Sequence, residues 1–186
     1  MGAKQHRRVL LGVSGGIAAY KACEVVRRLR EAGADVRVVL TENAERFVTP
    51  LTFQALSGQP VRHGLWDAEA EMGMGHLELA RWADAVLVAP ASADILAKLA
   101  HGFAGDLLST LCLATTAPLA VAPAMNHRMW LHPATQANVA TLRARDVAIL
   151  GPANGALAEG ESGPGRMLEP EQLARALMAS DDTHAA

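Results

Sequence analysis

The run Arg8–Val9–Leu10–Leu11–Gly12–Val13–Ser14–Gly15–Gly16–Ile17 decides how the fold is read. After Arg8 it is a short, unbroken apolar stretch without polar alternation, the pattern of a strand buried on both faces, as in a parallel sheet. It stops at a Ser-Gly-Gly turn. Beyond the turn, Ala18, Cys23, Val26 and Leu29 follow helical spacing until Gly33 closes the segment. A buried strand passing through a tight glycine turn into a helix is the first half of a βαβ unit.

The rest of the chain repeats this alternation. Val36–Leu40 is a second β-branched run, and Asn43–Leu56 suits a helix interrupted or restarted near Pro50. Ala85–Ala89 reads as a third strand, followed by helices over Ser92–Ala100 and Asp106–Ala114 with Gly102 and Gly105 between them. Leu119–Ala122 and Val147–Leu150 complete the strands, with a helix over about Ala134–Leu142 between them. Parallel neighbours need right-handed crossovers, so the expected fold class is α/β: a doubly wound parallel sheet in three Rossmann-like layers. Its ligand site belongs beyond the carboxyl ends of the strands. Gly151–Pro170 shows little periodicity and reads as a functional loop.

Composition narrows the function classes. The chain has 186 residues, of which 51% are hydrophobic, enough for one well-buried core. A net charge of −2 with mixed signs predicts neither nucleic-acid binding nor a membrane-surface patch, and the expected partner is a small molecule. No apolar run reaches bilayer length and the start resembles neither a signal peptide nor a myristoylation signal, so the expectation is a cytoplasmic protein. Cys23 and Cys112 are read as reduced, buried thiols. His63, His101, His127 and His132 form no spaced set with carboxylates, and no metal is expected.

Three strand ends, a helix start and the turn after the fourth strand carry candidate chemistry. Backbone N–H groups of Ser14, Gly15, Gly16 and Ile17, at a helix entrance, suit one phosphate; the glycines would equally serve close helix–strand packing. G-x-G-x-x-G and Walker A patterns are both absent, which disfavours a dinucleotide or nucleoside triphosphate. Thr41 after the second strand, and Pro90, Ala91, Ser92 and Ala93 after the third, share that edge, where small and hydroxyl residues approach a flat ring and its ribityl chain; Ser92 also reads as an N-cap. His76 opens an amphipathic stretch, so its ring sits at a helix N-terminus, where it is a candidate proton acceptor or a simple cap. Pro123–Ala124–Met125–Asn126–His127–Arg128–Met129–Trp130 follows the fourth strand as a turn, and its Met and Trp are expected to pack over something flat or over another subunit.

Four segments in register resemble the phosphopantothenoylcysteine decarboxylase family of flavoproteins, in particular the decarboxylase portion of the bacterial bifunctional coenzyme A protein. They are Gly12–Lys21, Gly75–Leu79, Pro123–Asn126 and Gly163–Met167. The resemblance implies one FMN-binding decarboxylase domain over residues 1–179, with 180–186 as a polar tail. It implies FMN contacts from the three strand ends above together with Ala124 and Met125. His76 would be the base of an oxidation that converts the cysteine moiety of 4'-phosphopantothenoylcysteine to a thioaldehyde. Asn126 would hold the carboxylate for loss of CO₂, and Asn126, Met129, Gly163, Gly165, Arg166 and Met167 would bind substrate. The segment from Ala153 to Glu169 would close over the substrate. A homo-oligomer built from trimers, up to a dodecamer, and a phosphopantothenate–cysteine ligase domain or protein are the partners the family implies.

One departure stands out. Where the family carries a flap cysteine as proton donor in the final reduction, this chain has Glu159. A carboxylic acid can serve if burial raises its pKa. The alternatives are therefore an oxidative decarboxylase of a peptidyl or other cysteine derivative that stops at the enethiol, and a non-catalytic flavin-binding regulatory subunit.

Overall fold

The structure, a computed structural model, describes residues 6–65, 75–156, 160 and 162–179. Five strands form one parallel sheet: β1 (Arg8–Val13), β2 (Asp35–Leu40), β3 (Ala85–Ala91), β4 (Leu119–Pro123) and β5 (Ala148–Ile149), in the order β2-β1-β3-β4-β5. The helices are α1 (Ala19–Glu31), α2 (Pro50–Ser57), α3 (His76–Trp82), α4 (Ala93–His101), α5 (Leu107–Ala114), α6 (His127–Leu131), α7 (Pro133–Arg143) and α8 (Pro170–Ala179). The expected doubly wound α/β fold is present, and the strand order reverses direction between β1 and β3. Crevices in such sheets open at that point.

Period-two geometry explains the unbroken apolar strands. Val9, Leu11 and Val13 of β1 and Leu87 and Ala89 of β3 face a core completed by α1, α2 and α8. Leu10, Val86, Val88 and Val121 point the other way, into a core completed by α3, α4, α5 and α7. Gly12 lets the second layer close on the sheet, since a Cβ there would lie 2.3 Å from Leu108 Cδ1.

Local signals set the helix ends. α1 buries Ala19, Ala22, Val25, Val26 and Leu29 and ends at Gly33, whose φ of 90° admits the left-handed turn. α2 starts at Pro50, preceded by a single 3₁₀ turn over Ala44–Arg46, which is the expected interruption. Ser92 caps α4, and Asp106 closes a capping box with Ser109 on α5.

Two expectations are corrected. Gly151–Pro170 is not without regular structure: β6 (Ala153–Ala156) and β7 (Ser162–Arg166) pair antiparallel, followed by α8. The ladder is built of Gly, Ala, Asn, Ser, Pro and Arg, so it carries no hydrophobic alternation to read. Met129 and Trp130, expected to pack together over something flat or over another subunit, part company: Trp130 is 8% exposed and packs inside its own chain, whereas Met129 is 49% exposed. Among the described residues no helix is long and apolar enough to cross a membrane. The polar tail 180–186 and Glu159 lie outside the described residues.

Candidate active site

The loops after β1, β3 and β4 are tied edge to edge by hydrogen bonds. Ser14 Oγ donates to the Pro90 carbonyl at 2.7 Å and accepts from the Ser92 N–H at 2.9 Å. Ala124 N–H donates to Ala91 O at 3.1 Å, and Met125 N–H donates to Gly165 O at 3.0 Å, which joins the β6–β7 hairpin to the sheet edge. Thr41 enters the same edge: its N–H donates to Val13 O and its Oγ1 accepts from Ala44 N–H at 3.2 Å. Gly15 packs on the next loop, since a Cβ there would stand 2.5 Å from Asn43 Cβ.

The turn before α1 fits a phosphate-bearing group. No hydrogen bond joins the Gly15, Gly16, Ile17 or Ala18 amide N–H to another described residue. The α1 N-cap, Ala18, offers no capping side chain, and the first turn holds no acidic residue. A Cβ on Gly16 would meet nothing within 4 Å. Uncapped amides at the positive end of a helix, with open space beside Gly16, suit an anion.

Beside this turn lies a cleft of about 440 Å³. One wall is the start of α1, with Ile17, Ala18, Tyr20 and Lys21; the floor is Ala124, Met125 and Asn126; the opposite wall is the hairpin, with Ala156, Gly165, Arg166 and Met167. Asn126 is the N-cap of α6, its Oδ1 accepting from Arg128 N–H at 2.8 Å. That oxygen accepts from the helix, and the NH₂ end of the same amide is the chemical type of donor that a carboxylate accepts from. Gly163 passes over α6 so closely that a Cβ would sit 3.1 Å from His127 Cβ.

His76 begins α3, as expected, with Gly75 as N-cap. It does not line the cleft. The α3 helix returns from the carboxyl edge to β3 in the other layer, so His76 and Asn126 share the edge but not the crevice within one chain. Met129 likewise stays outside the cleft, exposed on α6 beside exposed Leu131. Sequence reading missed Lys21 and Glu169 as partners: Lys21 Nζ lies 2.9 and 3.1 Å from the two Glu169 carboxylate oxygens across 148 residues.

Both thiols are free. Burial raises the Cys23 thiol, and burial followed by the Asp106 charge pushes the Cys112 thiol up to about 12. Cys112 sits on α5 among the second-layer core, away from the cleft, so neither geometry nor acidity suits it to replace a flap thiol.

Comparison with known proteins agrees with this architecture. The family model described as Flavoprotein matches residues 2–180. The chain is 58% identical over 167 residues to the coenzyme A biosynthesis bifunctional protein CoaBC of Vibrio vulnificus strain YJ016, covering 90% of this chain and 42% of that protein. It thus spans about two fifths of the length of the curated relatives it matches. Among solved structures, a cysteine-to-serine PPC decarboxylase mutant complexed with pantothenoylaminoethenethiol superposes with a TM-score of 0.84 at 33% identity, covering 96% of this chain and 100% of that one. The FMN-dependent cysteine decarboxylase SpaF gives a TM-score of 0.79 at 33% identity, covering 95% and 97%.

Proposed function

The chain belongs to the flavoprotein family, and from that premise we propose that it binds FMN at the carboxyl edge of the sheet and decarboxylates 4'-phosphopantothenoylcysteine to 4'-phosphopantetheine. The observation that carries the proposal is the uncapped turn before α1 opening beside the Asn126 cleft: one place for a phosphate, one for a cysteine carboxylate. Gly15, Gly16 and Ile17 would hold the FMN phosphate through their amides, and Thr41, Pro90–Ala93, Ala124 and Met125 would border the rest of the cofactor. Bound there, FMN supplies the two-electron acceptor that lets the cysteine side chain be oxidised before CO₂ leaves.

The chain's own groups do the remaining work. His76 takes the proton given up in the oxidation. The Asn126 amide donates to the substrate carboxylate and fixes the C–C bond that breaks. Arg166, Met167, Gly165 and Gly163 would border the substrate, and the hairpin would exclude water. Since His76 and the cleft do not meet in one chain, the proposal includes association of copies, trimers as the unit, so that His76 of one chain serves a cleft on another. Glu159, where the resemblance calls for cysteine, would be the acid in the final reduction. A ligase domain or protein that joins cysteine to phosphopantothenate is the proposed supplier of substrate.

The test is CO₂ release from 4'-phosphopantothenoylcysteine by FMN-loaded protein, with the product weighed by mass spectrometry. The thiol is expected. A product lighter by two hydrogens would select the enethiol-forming alternative, which the Glu159 replacement favours, and absence of CO₂ with FMN bound would reject both.

A further inference from the structure

One side of the cleft holds a charge cluster to which the proposed reaction assigns no electrostatic role. Lys21, one turn into α1, has a side chain only 17% exposed and lines the cleft, as does Arg166 from β7. Glu169 meets both: its carboxylate oxygens lie 2.9 and 3.1 Å from Lys21 Nζ, and Oε1 lies 3.3 Å from Arg166 Nη2. Arg166 is laid across Gly155, where a Cβ would stand 2.8 Å from Nη1, so the missing side chain at 155 leaves its path open. The Glu169 backbone starts α8, accepting from Gln172 and Leu173 N–H groups, while its own N–H donates to Gln172 Oε1 at 3.1 Å. A residue at a helix start whose side chain leaves its helix for two cations behind a cleft is placed by those cations.

We propose that Glu169 is an internal counter-anion that tunes how tightly Lys21 and Arg166 hold the terminal phosphate monoester of the substrate. This rests on the substrate reading above and adds a role to it. The cluster is two cations to one carboxylate, so it carries one net positive charge toward the cleft. An incoming dianion shares both cations with Glu169 and binds less tightly than to a bare pair. Substrate and product carry the same phosphate, and a grip equal in both states lowers KM without raising kcat. A built-in competitor keeps that grip moderate and lets product leave. Lys21 and Glu169 are binding and positioning residues here, with no part in proton transfer.

The experiment compares FMN-loaded wild type, Lys21→Gln and Glu169→Gln with two substrates, 4'-phosphopantothenoylcysteine and its dephosphorylated form. For the phosphorylated substrate, Glu169→Gln is expected to lower KM by about fivefold, the scale of one partly exposed charge interaction, and Lys21→Gln to raise it by about as much. The dephosphorylated substrate should show neither change. Equal KM shifts for both substrates, or a higher KM in Glu169→Gln, would mean that the ion pairs only brace the hairpin and would overturn the proposal. Calorimetric titration of the same proteins with 4'-phosphopantothenate and pantothenate requires no turnover. If wild type converts neither substrate, the reaction fails, yet tighter phosphopantothenate binding by Glu169→Gln still supports the counter-anion and unchanged binding still rejects it.

Discussion

Ser14 and Pro90 meet across the point where the strand order reverses: the hydroxyl of Ser14, a residue 2% exposed, donates to the Pro90 carbonyl at 2.7 Å while accepting from Ser92 N–H. The bond joins the end of β1 to the end of β3, and a hydroxyl so engaged shapes the crevice before it touches any ligand. Ser14→Ala leaves a buried carbonyl and a buried N–H without this partner. It should lower stability by about 1–3 kcal/mol and weaken FMN retention, read by thermal unfolding and by flavin content after gel filtration.

Gly15 and Gly16 are neighbours with opposite expected responses. Gly15→Ala drives a methyl onto Asn43, within 2.8 and 2.9 Å of its backbone carbon and oxygen, and should cost stability. Gly16→Ala meets open space and should unfold within about 0.5 kcal/mol of wild type. If that space receives the phosphate, Gly16→Ala still loses FMN affinity, which fluorescence titration of apoprotein measures.

Asn126→Asp separates cap from chemistry. Asp is as good an N-cap as Asn, so α6 and the melting temperature should survive. A second carboxylate facing the substrate carboxylate should reduce CO₂ release by at least about 100-fold, the scale of losing a positioned donor. His76→Asn should also abolish release while retaining flavin. A mixture of the two variants would regain partial activity if the residues serve one site from different chains.

Acid lability should trace to two carboxylates. The Arg8 guanidinium holds Asp84 below the ordinary range, against the effect of burial. Burial would raise Asp106, but the Ser109 N–H, the Lys98 ammonium and the Ser109 hydroxyl together leave it lowered. Both are charged in the fold where the unfolded chain takes up protons, so their stabilisation is present above pH about 4 and lost as pH falls through the folded values. Melting temperature followed from pH 7 to 3 should fall mainly below pH 4. Asp106→Ala, which also removes the α5 cap, should already be about 1 kcal/mol less stable at pH 7 and should show a shallower acid slope.

Thiol chemistry should be quiet. With both thiols raised by burial, neither Cys23 nor Cys112 should react readily with a disulfide reagent at pH 8 in the folded protein, and both should titrate in denaturant. Cys112→Ser should leave turnover intact; a loss would return the thiol to the list of acids.

What the sequence made legible was whatever local periodicity encodes. The β1–turn–α1 unit, the cap at Ser92, the helix that begins next to Asp106 and the helix starting at His76 each depend on residues within one or two turns of one another. The β6–β7 ladder escaped because its small and glycine residues give no alternation. α8 was missed although Pro170 at its start and Leu173 and Leu177 one turn apart signal a helix. That Trp130 packs inside its own chain rather than over another subunit was not legible, because its burial against the second-layer core is a tertiary fact. The Lys21–Glu169 pair, 148 residues apart, has no local signature at all.

In the proposed reaction, FMN seated at this sheet edge would accept the electrons that make CO₂ loss possible. This is tested most directly by mixing FMN-loaded protein anaerobically with 4'-phosphopantothenoylcysteine and following flavin absorbance and CO₂ together. The oxidised flavin band is expected to fall as CO₂ is released, and this fall is expected to be lost in His76→Asn. An unchanged flavin band with no CO₂, in protein that retains its FMN, would contradict it.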